Sequence, residues 1–167
     1  MRDLNQLILK FDYEQNFKDD DFYISDSNKH IFNLLNSWPK WEKNFLNIIG
    51  EKFSGKTHLV NIFIKRYKGI KLDANLLKAD DLKMIKIHEN IILENISEDI
   101  DEKLIYSLFN IIDIDNKYII VTSRKPIVDL NFSLLDLRSR TKNFLLQTIE
   151  KPDDELMFAW RHGPLGD

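Results

Sequence analysis

The stretch Gly50–Thr57 has the sequence Gly-Glu-Lys-Phe-Ser-Gly-Lys-Thr, a complete G-x-x-x-x-G-K-[ST] phosphate-binding loop. An apolar run at 45–49 precedes it, and a helical pattern at 58–67 follows it. The motif requires this setting, because a buried strand leads into a tight turn and the next helix directs free N–H groups and its positive dipole end at a phosphate. The stretch therefore predicts a site for the polyphosphate of a nucleotide.

Two side chains of this loop have predicted roles in the nucleotide site. Lys56 is expected to reach the β- and γ-phosphates, and the Thr57 hydroxyl is expected to ligate Mg²⁺. Main-chain amides around Ser54 complete the cradle. The predicted nucleotide-binding residues of this segment are Gly50, Ser54, Gly55, Lys56, Thr57 and His58. The alternative is an ordinary strand–turn–helix in which the lysine only caps the turn.

Composition limits the classes of function. The chain has 167 residues, 43% hydrophobic and 31% charged, which suits one globular domain. It has no cysteine, no 18-residue apolar run and no apolar segment typical of a secretory signal, so a cytoplasmic protein without a membrane span is expected. The net charge of −3 argues against a broad nucleic-acid-binding face.

Apolar strands alternate with helical patterns along the chain, which predicts an α/β fold with a five-stranded parallel sheet covered by helices on both faces. Predicted strands are 45–49, 70–73, 91–93, 118–122 and 144–148. Predicted helices are 28–38, 58–67, a short one within 76–87, 101–112 and 134–140. In the first helix Ile31, Leu34, Leu35 and Trp38 are expected to face inward, with Ser27 or Asn28 as N-cap.

Three regions are expected: an extended leader at 1–27, a nucleotide-binding core at 28–150 and a tail at 151–167. A helical pattern begins at 153–160 and is then broken by Arg161-His162-Gly163-Pro164. This tail is either the start of a truncated helical lid or a natural short end.

The predicted third strand ends in Glu94-Asn95, next to where the metal would bind. Glu94 can hold Mg²⁺, whereas Asn95 stands where a general base is needed and cannot accept a proton at neutral pH. Slow intrinsic hydrolysis, or none, follows if this interpretation is right. The alternative is an acidic strand end without a metal role.

The predicted fourth strand ends in Thr122-Ser123-Arg124-Lys125-Pro126. Either Thr122 or Ser123 is expected to sense the γ-phosphate, while Arg124 is unexpected there and would pair with a phosphate or face solvent. A plain surface turn is an equal alternative.

Arginines are scarce and clustered, with six in the chain against eighteen lysines and three of the six between positions 124 and 140. A planar bidentate cation is suited to phosphate or carboxylate recognition. Arg140, near a helix end, is predicted to act in trans as an arginine finger on a neighbouring subunit's nucleotide. The alternative is a cation that only compensates the helix dipole.

The leader contains Gln6-Leu7-Ile8-Leu9-Lys10-Phe11, which suits a short extended docking peptide. Gln6 would hydrogen-bond at a pocket rim, and Leu7, Leu9 and Phe11 would fill apolar clefts. Its own domain is the alternative partner.

The loop, the leader peptide and Leu135-Asp136-Leu137-Arg138-Ser139-Arg140, in that order, resemble the AAA+ ATPases of the bacterial replication initiator group, the DnaA/Hda family, and within it the Hda branch of initiator regulators. The leader is similar to that branch's sliding-clamp-binding peptide. Residues 22–28 are similar to the segment whose backbone lies near the adenine, which assigns Ile24 to the nucleotide. Glu94-Asn95-Ile96 resembles the branch's Asp-Asn-Ile, and Arg124 departs from the family by replacing a usual Asp.

The resemblance implies a regulator that binds ADP or ATP with Mg²⁺ and is tethered to the DNA polymerase sliding clamp. It would stimulate ATP hydrolysis by the DnaA initiator through Arg140, which prevents re-initiation. Direct sequence-specific DNA binding and membrane binding are not expected, and homo-oligomer formation is left open. The alternatives are a self-sufficient P-loop ATPase or kinase, and a DnaA-like adaptor that recruits another replication protein.

Overall fold

The computed structural model describes residues 24–150, and within them five parallel strands form one sheet in the order β2-β3-β4-β1-β5. The strands are β1 Phe45–Ile49, β2 Ile70–Asp73, β3 Asn90–Glu94, β4 Tyr118–Ser123 and β5 Leu145–Thr148. The predicted five-stranded parallel sheet is confirmed. Because all strands run the same way, their carboxyl ends lie at one edge of the sheet, and the loop after β1 lies there between its neighbours β4 and β5.

Helices connect the strands, as parallel pairing requires. They are α1 Lys29–Asn36, α2 Lys56–Tyr67, α3 Asp81–Lys86, α4 Glu102–Ile114 and α5 Leu135–Thr141, with a 3₁₀ turn at Ile127–Asp129. Within residues 24–150, none of them has the length and apolar character that crossing a bilayer demands.

The sheet is buried on both faces because alternate residues of its central strands enter different cores. In β3, Ile91 and Leu93 join one core while Ile92 joins the other. The first core lies under α3, α4 and α5, and the second lies under α1 and α2. Burying one such aliphatic side chain stabilises the folded state by roughly 1.5–3 kcal/mol. Burial on both faces therefore explains why these strands are almost wholly apolar.

The first helix differs from its prediction. Asn28 occupies the N-cap position of α1, but its side chain gives no capping bond, because Oδ1 accepts from the Ser25 backbone N–H at 3.0 Å. Phe32 is buried, whereas Leu34 and Trp38 are only half-buried. The helix ends at Asn36, so Trp38 lies beyond it and packs against the second core from the segment that follows the helix.

An aromatic cluster packs at the sheet edge opposite the loop. Trp38 and Trp41 both lie against Phe63, with ring centroids 6.3 and 5.5 Å apart. Both also meet Tyr118, the first residue of β4, at 5.6 and 5.7 Å. Tyr67 completes the group, 4.9 Å from Trp38. These contacts fix the chain between α1 and β1.

Candidate functional site

The loop between β1 and α2 requires both of its glycines. Gly55 has a φ of 100° at the N-cap of α2, a left-handed conformation that costs side-chain-bearing residues about 1–2 kcal/mol. A Cβ on Gly50 would lie 2.5 Å from Oγ of Ser54, so the Ser54 side chain would have to shift to admit a larger residue. The backbone therefore forms the tight turn that the motif predicts.

Lys56 is the first residue of α2, and its side chain reaches back into this turn. Its Nζ donates to the carbonyl oxygens of Gly50 at 2.6 Å and Glu51 at 2.8 Å. Burial, followed by the positive charge of Arg124, lowers the pKa of Lys56, against the opposing effect of Glu51 and Glu94. A bound anion at this position would therefore stabilise the charged form of Lys56.

Thr57 and Glu94 meet at the start of α2 and the end of β3. The Thr57 hydroxyl donates to Oε1 of Glu94 at 2.9 Å, and Lys71 Nζ lies 3.7 Å from the other carboxylate oxygen. Glu94 is buried although it is an acid. Its partners explain how a carboxylate is tolerated there.

This oxygen pair fits Mg²⁺, which binds proteins through one or two carboxylate or hydroxyl oxygens together with nucleotide phosphates. Within residues 24–150 no group of three or more His, Cys, Asp or Glu side chains converges on a metal position. Thr57 and Glu94 would therefore hold the ion only together with phosphate oxygens, and the ion would supply charge neutralisation at those phosphates.

Asn95 is held by two neighbouring residues, Thr122 and Asp73. It has a φ of 63°, its backbone N–H donates to Oγ1 of Thr122 at 3.1 Å, and its Nδ2 donates to Oδ2 of Asp73 at 2.8 Å. Asp73 ends β2 beside Glu94 and was not predicted from the sequence. Burial raises the pKa of Asp73, but hydrogen bonds from Asn95 and Asn75 outweigh it and leave that pKa below its usual value.

The turn after β4 is anchored by a buried asparagine that the sequence analysis missed. Nδ2 of Asn47, in β1, donates to Oγ of Ser123 at 2.8 Å, and Oδ1 of Asn47 accepts from the Ile127 N–H at 2.9 Å. Ser123 Oγ in turn donates to the Lys125 carbonyl at 2.6 Å. The Ser123 hydroxyl is thus occupied by the chain's own groups, and the turn carrying Arg124 is held from both ends.

These elements enclose a cavity of about 880 Å³, large enough for a nucleotide. Four of its lining residues are cationic, Lys52, Lys56, Arg124 and Lys125, and two are acidic, Glu98 and Asp99. Phe53, which is 79% exposed, also lines it. The excess of positive charge suits a polyphosphate.

The predicted site residues divide into three groups. Ser54, Gly55, Lys56, Thr57, His58 and Ser123 line the cavity. Gly50, Glu94 and Thr122 lie behind it and contact lining residues through the bonds described above. Ile24 packs on the core under α1 and α2 and does not line the cavity. Its assignment to the nucleotide stays a prediction.

Arg140 lies on α5, outside the cavity, and its guanidinium is engaged by α4. It donates to Oδ2 of Asp113 at 2.8 Å, donates to Oδ1 of Asn110 and lies over the ring of Tyr106 at 5.9 Å. Residues 106, 110 and 113 fall on one helix face, a spacing visible in the sequence that could have suggested this polar face.

The predicted clamp-binding residues Gln6, Leu7, Leu9 and Phe11 lie outside the described residues, as do Phe22, Tyr23 and the tail at 151–167. The clamp-binding assignment and the interpretation of the tail stay predictions.

Comparison with known proteins identifies the fold. The chain is similar to AMPPCP-bound DnaA from Aquifex aeolicus, with a TM-score of 0.66 and 18% identity over 82% of this chain and 50% of that one. It is also similar to domain III of the Thermotoga maritima replication initiation protein DnaA, with a TM-score of 0.60 and 18% identity over 88% of this chain and 75% of that one. DnaI gives a TM-score of 0.60 at 13% identity over 83% of this chain and 92% of that one.

The fold is therefore that of the AAA+ domains of DnaA-related replication proteins. The chain spans half the length of the two DnaA structures, from Aquifex aeolicus and bound to single-stranded DNA, that it matches first. No family model matches its sequence, and no curated protein does.

Proposed function

We propose that this chain is a nucleotide-binding replication regulator of the DnaA/Hda type. In this proposal it binds ADP or ATP with Mg²⁺, is tethered to the sliding clamp by its leader, and stimulates ATP hydrolysis by the initiator DnaA. The observation that carries the proposal is the Gly50–Thr57 loop, closed around Lys56 and bonded through Thr57 to Glu94, in a fold shared with a nucleotide-bound DnaA.

The chain's own pocket is regulatory in this proposal. Lys56 would leave the carbonyls of Gly50 and Glu51 for the phosphates, and Thr57 and Glu94 would hold the ion. Asn95, whose Nδ2 is already bonded to Asp73, provides no proton acceptor at the position of a general base. Hydrolysis by the isolated chain is therefore slow.

In this proposal Arg140 acts on the γ-phosphate of the ATP that the partner DnaA holds. Its ion pair with Asp113 is partly exposed, with 22% and 57% of the two side chains accessible, so it contributes at most about 1 kcal/mol. A partner's γ-phosphate, with more negative charge and bidentate oxygens, can replace that carboxylate. Neutralising charge in the transition state in this way accelerates phosphoryl transfer by roughly 10³–10⁵-fold in other systems.

The decisive experiment measures ATP hydrolysis by DnaA with DNA-loaded clamp and this protein present. Arg140→Ala is expected to abolish the stimulation. Arg138→Ala is the matched control, since Arg138 is on the same helix but donates to the Phe132 carbonyl of its own chain. Equal stimulation by wild type and Arg140→Ala refutes the role of Arg140.

Tethering is tested separately by clamp pull-down. Replacing Gln6 and Phe11 with alanine is expected to abolish clamp binding while nucleotide binding persists. Undiminished clamp binding by this variant shows that the leader is not the tether.

A second candidate is an adaptor that recruits another replication protein. Two observations favour it: the likeness to DnaI extends over 92% of that chain, and the guanidinium of Arg140 is already bonded within its own chain. An adaptor needs no free arginine. Recovery of a different replication protein in place of clamp and DnaA, with no change in DnaA hydrolysis, would identify this function.

A further inference from the structure

We infer that Arg124 is a phosphate ligand in cis, which binds the terminal phosphate of the chain's own nucleotide and makes the pocket prefer a nucleoside triphosphate to a diphosphate. The inference rests on the proposed nucleotide binding and goes beyond it by assigning a specificity-determining residue.

The position of Arg124 is rigid because its turn is bonded on both sides. Ser123, before it, accepts from Asn47, and Ile127, after it, donates to the same asparagine. The bond from Ser123 Oγ to the Lys125 carbonyl closes the turn across Arg124 itself. A side chain on such a turn loses less freedom when it binds a ligand.

The turn is joined to the phosphate loop directly. Ile49 and Ser123 are register partners in β1 and β4, and the Gly50 N–H donates to the Ser123 carbonyl at 3.0 Å. Arg124 is the next residue, and it lines the same cavity as Lys56 and Thr57. The strand pairing therefore places a guanidinium beside the loop that holds the phosphates.

Arg124 differs from the other arginines that the structure describes. Arg66 donates to Asn36, Arg138 to the Phe132 carbonyl, and Arg140 to Asp113. Within residues 24–150, no hydrogen bond or ion pair engages the guanidinium of Arg124. Its fork of donors is available to a ligand.

The charges around Arg124 favour an anion rather than a local acid. Glu98 and Asp99 line the same cavity but form no ion pair with it among the described residues. The positive charge of Arg124 contributes to the lowered pKa of Lys56. A ligand group that carries several negative charges would reduce the electrostatic repulsion between Lys56 and Arg124.

The chemical class of that group is the terminal phosphate of a nucleoside triphosphate. The loop amides bind the phosphates that a diphosphate also has, and Lys56 is expected to reach both the β- and the γ-phosphate. A second, planar cation at the end of the neighbouring strand gives bidentate bonds to one more phosphate. Arg124 then increases the preference for the triphosphate beyond the part that Lys56 supplies.

The test is calorimetric titration of the full chain with ADP and with AMPPCP, each with Mg²⁺. Arg124→Ala is expected to weaken AMPPCP binding about tenfold or more while ADP binding changes less than about threefold, as expected for one lost charge-assisted contact. Lys142→Ala, which removes an exposed cation just after α5 that does not line the cavity, is the matched control and is expected to leave both affinities near the wild-type values.

The outcomes separate this inference from the function it rests on. If wild type binds neither nucleotide, the proposed nucleotide site itself fails. If wild type binds both and Arg124→Ala changes neither affinity, or weakens both equally, the assignment of Arg124 to the terminal phosphate is overturned. Circular dichroism of each variant checks that the fold is retained.

Discussion

At the scale of single residues, Asn47 links the core of the sheet to the candidate site. It is fully buried in β1 between aliphatic neighbours, and its amide bonds to Ser123 and Ile127. In the sequence it is one polar residue inside an apolar strand, and nothing in the pattern of β1 reveals partners more than seventy positions away. Asn47 thus orients the turn after β4 through bonds that the local sequence pattern does not predict.

Replacing Asn47 with alanine is expected to lower the free energy of unfolding by about 2–3 kcal/mol, because the Ile127 N–H loses its acceptor in a buried setting and the Ser123 hydroxyl loses a donor. Urea unfolding measures the loss. Asn33→Ala, on the exposed face of α1, is the control and is expected to change stability by less than about 0.5 kcal/mol. A loss below about 1 kcal/mol for Asn47→Ala would mean that water replaces the lost bonds.

At the scale of elements, the carboxyl ends of β2 and β3 are tied by Asp73 and Asn95. The folded-state pKa of Asp73 lies below its ordinary value of 3.8, so the ionised form binds its partners more strongly than the protonated one. The stability that Asp73 contributes is therefore present above pH 3.8 and is lost as pH falls through the lowered folded-state value.

Asp73→Asn is expected to reduce the acid sensitivity of the protein. Urea midpoints of wild type and variant, compared at about pH 7 and about pH 3, measure the difference. Wild type should lose more stability over this range than the variant. Asp136→Asn, an exposed acid on α5, should follow wild type. Identical pH dependence of wild type and Asp73→Asn would contradict a preferential bond to the ionised carboxylate.

The elements differed in how well the sequence predicted them, for physical reasons. β1 and β2 have the predicted bounds, 45–49 and 70–73, because glycine residues follow one and precede the other. The helix expected within 76–87 is only Asp81–Lys86, since its single buried residue, Ile85, provides little periodic pattern. The engagement of Arg140 depends on how α5 packs against α4, which periodicity does not specify.

At the scale of the whole molecule, the proposed nucleotide binding would be coupled to folding. A ligand that binds only the folded chain stabilises it by about 2.7 kcal/mol at a concentration one hundred times its Kd. For a protein of this size we expect Tm to rise by roughly 5–10 °C with ADP and Mg²⁺.

Lys56→Ala should remove most of this rise, because the loop then lacks the cation that meets the phosphates. Differential scanning calorimetry at several ADP concentrations measures it, and adenosine serves as the ligand control without phosphates. An equal rise in Tm for wild type and Lys56→Ala would place the nucleotide elsewhere.

The sequence predicted the architecture more fully than it predicted the site. The fold follows from local patterns, apolar strands and amphipathic helices, together with one motif of eight residues. The site also requires Asn47, in the middle of β1, and Asp73, at the end of β2, whose side chains bond to Ser123 at the end of β4 and to Asn95 just after β3. Lys56, Thr57 and Glu94 were predicted because a known spacing or a strand end marks them.

The aromatic cluster has a practical consequence for spectroscopy. Trp38 and Trp41 contact Tyr118, the first residue of β4, whereas the nucleotide cavity begins at its last residue, Ser123. Five steps along a strand separate the two ends by roughly 16 Å. With Trp160 replaced by phenylalanine, indole fluorescence should report unfolding but should not respond to ligand binding. The emission can then be used to monitor the fold during ligand titrations.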